Sequence, residues 1–133
     1  MIKKPEIHYT SPNKLSPYKD NPREHSQRQI NQLAKNIKSF GFVVPILVDH
    51  NNLIIAGHGR ILAAKKLGLE EIPAILIEHL TESELRAFRI ADNRLSELSS
   101  WDEIKLRTEL EFLDQIDIDI TLSGFEVPEI DLI

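Results

Sequence analysis

Apolar residues recur along this chain with two periods, and the switches between them mark the elements. Ile30, Leu33, Ala34 and Ile37 stand at helical spacing and predict a helix from about Ser26 to Phe40. Ser26 with Gln29 forms a capping box at its start, and Gly41 occupies the C′ position. Val43 to Val48 then reads as a strand, turned by His50, Asn51 and Asn52 into a hairpin partner over Leu53 to Ala56. Pro45 places the first of these at a sheet edge or a bulge. A short helix follows from about Arg60 to Leu67, closed by Gly68, and Ile72 to Ile77 is another strand. Leu85, Phe88, Ala91, Leu95 and Leu98 make the apolar stripe of a helix opened by a Thr81–Glu84 capping box and reaching about Glu97. Ser100 with Glu103 is expected to cap a further helix from Trp101 to Leu113. Ile116, Ile118 and Ile120 alternate with aspartates, as in a strand with one buried face. Ile7-His8-Tyr9 is a short edge strand ahead of a turn-rich segment that includes Ser16 to Arg23, and residues 124–133 read as a tail.

This order predicts an α+β domain, a small mixed sheet packed with helices and ending in two long helices. The expected organisation is one folded domain over residues 1–115 and an acidic connector or tail over 116–133. Charge sharpens that division. Residues 1–96 carry 14 Lys or Arg against 10 Asp or Glu, a surplus of 4, whereas residues 97–133 carry 2 against 11, a deficit of 9, giving the net −5. The acidic section is a poor nucleic-acid surface, because phosphate contacts dominate that affinity. The chain holds no cysteine, so disulfides, thiolate metal sites and cysteine nucleophiles are excluded. Neither a signal-peptide core nor an apolar run of membrane-spanning length is present, and the expected location is the cytoplasm, with no membrane partner.

The candidate chemistry centres on Gly57, His58, Gly59 and Arg60, where an apolar run ends and a helix begins. Two glycines permit a tight turn and close approach of backbone to a ligand. A helix start offers unbonded N–H groups and a positive dipole end, and Arg60 adds a planar fork suited to phosphate. The sequence matches neither the G-x-x-x-x-G-K-[ST] phosphate loop nor the G-x-G-x-x-G dinucleotide turn. From spacing alone, a phosphate site and an ordinary strand-to-helix turn are equally supported. His58 is the candidate acid/base or phosphate donor, and equally a residue that holds the loop. His8, His25, His50 and His79 are read as surface or turn residues. Asp92 and Asn93 form a second constellation, a carboxylate beside an amide of the kind Mg²⁺ accepts with phosphate oxygens. On a helix, such a pair is more often solvated surface. Arg86 and Arg89 are similarly either i,i+4 partners on a helix or phosphate ligands. Trp101 is expected to anchor the last helix.

The order of these pieces resembles one family. Leu15-Ser16-Pro17-Tyr18 and Asn21-Pro22-Arg23 lead into the first helix, Gly41-Phe42-Val43-Val44-Pro45-Ile46-Leu47-Val48 follows it, and Ile55 to Arg60 and Thr81 to Arg94 complete the set. This succession is similar to the N-terminal domain of the ParB family, within the wider ParB/sulfiredoxin fold group, over roughly residues 7–113. The Gly57–Arg60 and Ala91–Arg94 sequences look most like variants found in phages or ahead of DNA amino-methyltransferase domains. The resemblance implies a nucleoside triphosphate ligand, CTP or ATP, with Mg²⁺. Gly57, His58, Gly59 and Arg60 would meet phosphate, Arg23 and Arg89 would be secondary phosphate ligands, and Asp92 and Asn93 would meet the metal through the phosphates. His58 stands where the family has Glu, Gly59 and Leu62 where it has Arg, and Asp92 where it has Glu. The sulfiredoxin cysteine would fall at His58, so sulfinic-acid reduction is excluded, and no helix-turn-helix that reads centromere sites is expected in this sequence.

The expected function is a nucleotide-binding regulatory or adaptor domain in a DNA transaction such as modification or segregation. Its DNA contact would come through a fused or partner domain, and it would have scope to form a homodimer. A phosphoryl-transfer or nucleotide-hydrolysing enzyme, such as a weak nucleoside triphosphatase, is the alternative. A DNA-binding or nuclease domain comes third.

Overall fold

In the computed structural model, which describes residues 2–130, β1 (Ile7–Thr10) begins the chain and is followed by a 3₁₀ turn at Pro12–Lys14. The helix α1 (Gln27–Phe40) comes next, then the hairpin of β2 (Ile46–Val48) and β3 (Ile54–Ala56), the helix α2 (His58–Leu67), β4 (Ile72–Leu76) and the helix α3 (Glu82–Glu97). The four strands form one mixed sheet in the order β1-β4-β2-β3. The β1–β4 and β2–β3 pairs are antiparallel, and β2–β4 is parallel with Ile46 opposite Ala74. The α+β class is therefore as the residue pattern predicts. Compact packing divides the chain after Leu95, so residues 1–95 and the section from Ser96 onward form separate units.

The first unit is built around β2 and β4. Ile46, Val48, Ile72 and Ala74 point inward and are almost fully buried, joined by Leu15, Ile54, Ile61 and Ala64. A second apolar cluster forms where α1 meets α2, from Ala34, Ile37 and Ala63 with Ile30 and Leu33 packed against them. Burying a side chain of Ile size contributes about 1.5–3 kcal/mol, so these two clusters hold α2 firmly between the sheet and α1. Gly59 makes the helix contact close. A Cβ there would lie 3.0 Å from both Leu33 Cδ1 and His25 Nδ1. Lys66 Nζ also donates to Asn31 Oδ1 across the two helices.

Several element limits differ from the expectation, each for a local reason. The strand predicted from Val43 starts only at Ile46, and Val43 and Val44 are exposed. Pro45 lies just outside β2, which is an interior strand rather than an edge, and the irregularity falls between Leu47 and Val48. Proline has no N–H to give to the ladder, so pairing begins after it. The helix expected from about Arg60 starts at His58, because Gly57 turns the chain with φ 101°. The Ser26–Gln29 box is half formed. Ser26 Oγ accepts from Gln29 N at 3.1 Å, while the Gln29 side chain turns instead to His25 Nδ1 at 2.8 Å. Thr81 and Glu84 form the full reciprocal box, with bonds of 3.2 and 3.0 Å.

In the second unit, α4 (Glu103–Asp114) buries Leu110. Its cap is Asp102, whose Oδ1 accepts from Lys105 N at 3.1 Å, and not Ser100. The alternating stretch 116–120 is not a strand. Turns lead into a 3₁₀ segment at Ile120–Ser123, with Asp119 Oδ1 accepting from Thr121 N at 3.0 Å. An aspartate that bonds the neighbouring backbone competes with sheet pairing. The Trp101 and Phe125 rings meet at 5.6 Å between centroids. The expected tail contains the short helix α5 (Val127–Ile130), and its last three residues lie outside the described part of the chain. Among the described residues, no helix is long and apolar enough to cross a membrane.

Candidate functional site

The end of β3 delivers the chain into a turn that only glycine satisfies. Gly57 sits at φ 101°, ψ 21°, and a Cβ on it would fall 2.6 Å from Ile46 Cγ2. Its backbone conformation and its contact with the core strand therefore make the same demand. Gly57 is the N-cap of α2 without any side-chain cap, and Ile61 N is the first helical donor, bonding Gly57 O at 2.9 Å. Among the described residues, the N–H groups of His58, Gly59 and Arg60 thus form the first turn without helical partners, carrying the positive end of the helix dipole.

This turn opens on a pocket of ≈ 190 Å³. Gly57 to Arg60 form its floor, and α3 contributes Arg89, Asp92 and Asn93. Further lining comes from Asn21, Arg23 and His25 of the segment before α1, Gln29 and Leu33 of α1, and Ile55 and Ala56 of β3. All eight residues expected as phosphate or metal ligands consequently line one pocket, although they are spread from position 23 to position 93.

Two of the guanidinium groups that line it carry buried nitrogens without hydrogen-bond partners among the described residues. Arg60 Nη2 donates to Pro45 O at 3.0 Å, while its Nε is buried without a hydrogen-bond partner among the described residues. Burial pushes the Arg60 guanidinium below its ordinary pKa, and the Asp92 carboxylate opposes that shift. Arg89 is only 4% exposed, its Nε likewise lacks a partner, and its guanidinium carbon lies 3.8 Å from the centroid of the Tyr18 ring. Buried donors without acceptors are costly, on the order of 1–3 kcal/mol each. Two of them at one pocket suit an anionic ligand.

His58 is arranged differently from the loop residues around it. Its Nε2 accepts the backbone N–H of Tyr18 at 3.2 Å. Burial, and then the positive charges of His25 and Arg89, lower its pKa to about 4, so the ring is neutral near pH 7. Asn93 spends its amide N–H on Arg89 O at 2.9 Å. Among the described residues, no three His, Cys, Asp or Glu side chains gather as a metal site. One carboxylate and one amide fit Mg²⁺ only where phosphate oxygens and water complete the shell.

His25, read in the sequence as a surface or turn residue, is half-buried at this pocket, bonded to Gln29, and its charge acts on His58. Gln29 is read in the sequence only as a capping partner, and Tyr18 only as part of the Leu15–Tyr18 stretch; the periodicity around them carries no signal for a pocket that α3 helps to form.

Comparison with known proteins agrees with this architecture. The ParB N-terminal domain profile matches residues 1–94. The ParB-like nuclease domain-containing protein YnaK of Escherichia coli K12 is 43% identical over 84 residues, which is 63% of this chain and 97% of that protein. A probable chromosome-partitioning protein ParB of Campylobacter jejuni is 36% identical over 91 residues, 66% of this chain but 31% of its own length. The chain therefore spans nearly all of the first relative and about a third of the second. Among solved structures, the C-terminally truncated chromosome-partitioning protein ParB of Caulobacter crescentus, complexed with CTP-γ-S, superposes with a TM-score of 0.71 at 21% identity, covering 83% of this chain and 63% of that one.

Proposed function

This chain belongs to the ParB N-terminal domain family, and from that premise we propose that it is a nucleotide-binding regulatory domain taking a nucleoside triphosphate with Mg²⁺. The observation that carries the reading is the convergence of Arg60, Arg89 and the open first turn of α2 on one pocket, with a buried unpartnered Nε on each arginine. The N–H groups of His58, Gly59 and Arg60 and the two guanidiniums supply donors for phosphate oxygens. Arg23 stands at the outer wall, suited to a terminal phosphate or the ribose side. Asp92 and the amide oxygen of Asn93 would hold Mg²⁺ against the phosphates, and the ion would offset their mutual repulsion. The binding of CTP-γ-S by the Caulobacter relative supports CTP as the first nucleotide to test, with ATP second.

The biological setting that best suits the family is a DNA transaction, in the cytoplasm, with DNA contacted through another domain or a partner. The acidic section after residue 96 supports that division of labour. A hydrolytic role for His58 has less support, since its Nε2 already accepts from Tyr18. Calorimetric titration with CTP, ATP, GTP and UTP, with and without Mg²⁺, tests the proposal. Micromolar to sub-millimolar binding of at least one, strengthened by Mg²⁺, is expected. No heat from any of them at millimolar concentration rejects it.

A further inference from the structure

We infer that Tyr18 is the positioning residue for the Arg89 guanidinium, and that His58 acts in the same site by fixing Tyr18; this rests on the phosphate reading of the pocket. Arg89 reaches the pocket from α3 on a long side chain with considerable rotamer freedom to lose. Its backbone is held by Asn93, whose amide bonds Arg89 O, but that bond does not aim the side chain. The Tyr18 ring does. A guanidinium 3.8 Å from a ring centroid is held by its face, and its N–H donors stay available at the edge of the plane. A carboxylate partner would fix the same group by consuming those donors and its charge. An aromatic face leaves both for a phosphate.

The ring is itself anchored on both sides. Ser16 N donates to Asn52 O and Ile54 N to Ser16 O, each at 2.9 Å, so the segment before Tyr18 is bridged to the strand leading into the turn. Tyr18 N then donates to His58 Nε2 at 3.2 Å. The connection thus runs from the first turn of α2, through His58 and the Tyr18 backbone, to the Tyr18 ring and Arg89. One device thus ties the position of the Arg89 guanidinium to the first turn of α2. Arg89 and Tyr18 also line a neighbouring cavity of ≈ 370 Å³, so the stack has open volume beside it and needs a fixed partner to keep its place.

Two measurements test this, one of them without ligand. In the free protein, the Arg89 Nε–H resonance is expected to be shifted upfield by the Tyr18 ring current. Tyr18→Phe keeps that shift and Tyr18→Leu abolishes it; an unshifted Arg89 signal in the unaltered protein overturns the stacking. In titrations with CTP–Mg, ATP–Mg and inorganic triphosphate, Tyr18→Leu is expected to weaken binding about tenfold, while Tyr18→Phe stays within about twofold. Arg89→Met should weaken it at least as much, and adding Tyr18→Leu to it should cost nothing further. Additive losses, or a Tyr18→Leu protein that binds as the parent does, overturn the inference. A parent protein that binds none of the three ligands rejects the phosphate reading instead, and the resonance measurement still decides whether Tyr18 positions Arg89.

Discussion

His58 Nε2 accepts the backbone N–H of Tyr18 at 3.2 Å, joining residues forty positions apart in the chain. The bond exists only while Nε2 is unprotonated, because an imidazolium has two donors and no acceptor. Charge at His58 and the geometry of the pocket wall are therefore linked.

That linkage gives a pH dependence. The folded-state pKa of His58, about 4, lies below its ordinary value of 6.5. Between the two values the unfolded chain binds the proton that the folded chain refuses, so stability is full above about pH 6.5 and falls as the pH drops toward 4. Thermal melts of the parent protein and of His58→Gln, whose amide oxygen can also accept from Tyr18, should diverge over this window. The parent loses more stability from pH 7 to pH 4.5. Parallel losses would show that His58 does not carry the effect.

Two glycines with positive φ should respond very differently to alanine. Gly57→Ala adds a left-handed strain and a Cβ 2.6 Å from Ile46 Cγ2, and it is expected to cost at least about 2 kcal/mol. Gly68, at φ 71°, has nothing within 4 Å of the same position, so Gly68→Ala should cost only about 1 kcal/mol of conformational strain. Urea unfolding of both variants measures the difference directly; equal costs would mean that the Ile46 contact relaxes freely.

Arg60→Lys keeps the positive charge but loses the planar fork that bonds Pro45 O and faces the pocket. Nucleotide affinity should fall at least tenfold with little change in melting temperature. Asp92→Asn should remove most of the Mg²⁺ enhancement and leave the metal-free affinity unchanged or improved, since it deletes a negative charge beside the phosphates. Titrations with and without Mg²⁺ separate the two effects. A metal enhancement that survives in Asp92→Asn excludes this carboxylate as the ligand.

Thr81→Ala removes the oxygen that accepts Glu84 N at 3.2 Å and so breaks one arm of the α3 cap. About 1 kcal/mol of stability should be lost. Because α3 carries Arg89, Asp92 and Asn93, fraying at its start should also raise amide hydrogen exchange along its first turns. Unchanged exchange there would place the control of this helix elsewhere.

Much of the fold is local in origin, and for that reason legible in the residues alone. Helical spacing of Ile30, Leu33, Ala34 and Ile37, the Thr81–Glu84 box, Gly68 and the Asn51-Asn52 hairpin turn each act within a few neighbours. The α+β class and the element order follow from such signals. The residues 116–120 misled because alternation of Ile and Asp describes a strand only if another strand is present to pair with it. Without one, the Asp119 carboxylate accepts from the backbone N–H of Thr121. The Ser100 cap misled because Asp102, two residues later, caps α4 instead, its carboxylate accepting from Lys105 N.

The sequence by itself determined the turn at Gly57, through a glycine requirement local to β3 and α2, and nominated Arg60, Asp92 and Asn93 by residue type. Only the tertiary structure decided that these groups meet. The packing of α2 between the sheet and α1, and the approach of α3 and the residues 16–25 to it, bring positions 18, 58, 60, 89 and 92 to one place. Contacts between residues so far apart leave no periodicity to read, because each side chain satisfies its own element's pattern whether or not a distant partner arrives. That is why Tyr18 and His25 look like ordinary loop residues in the chain, while in the fold His25 lines the pocket and Tyr18 bonds His58 and stacks on Arg89, both of which line it.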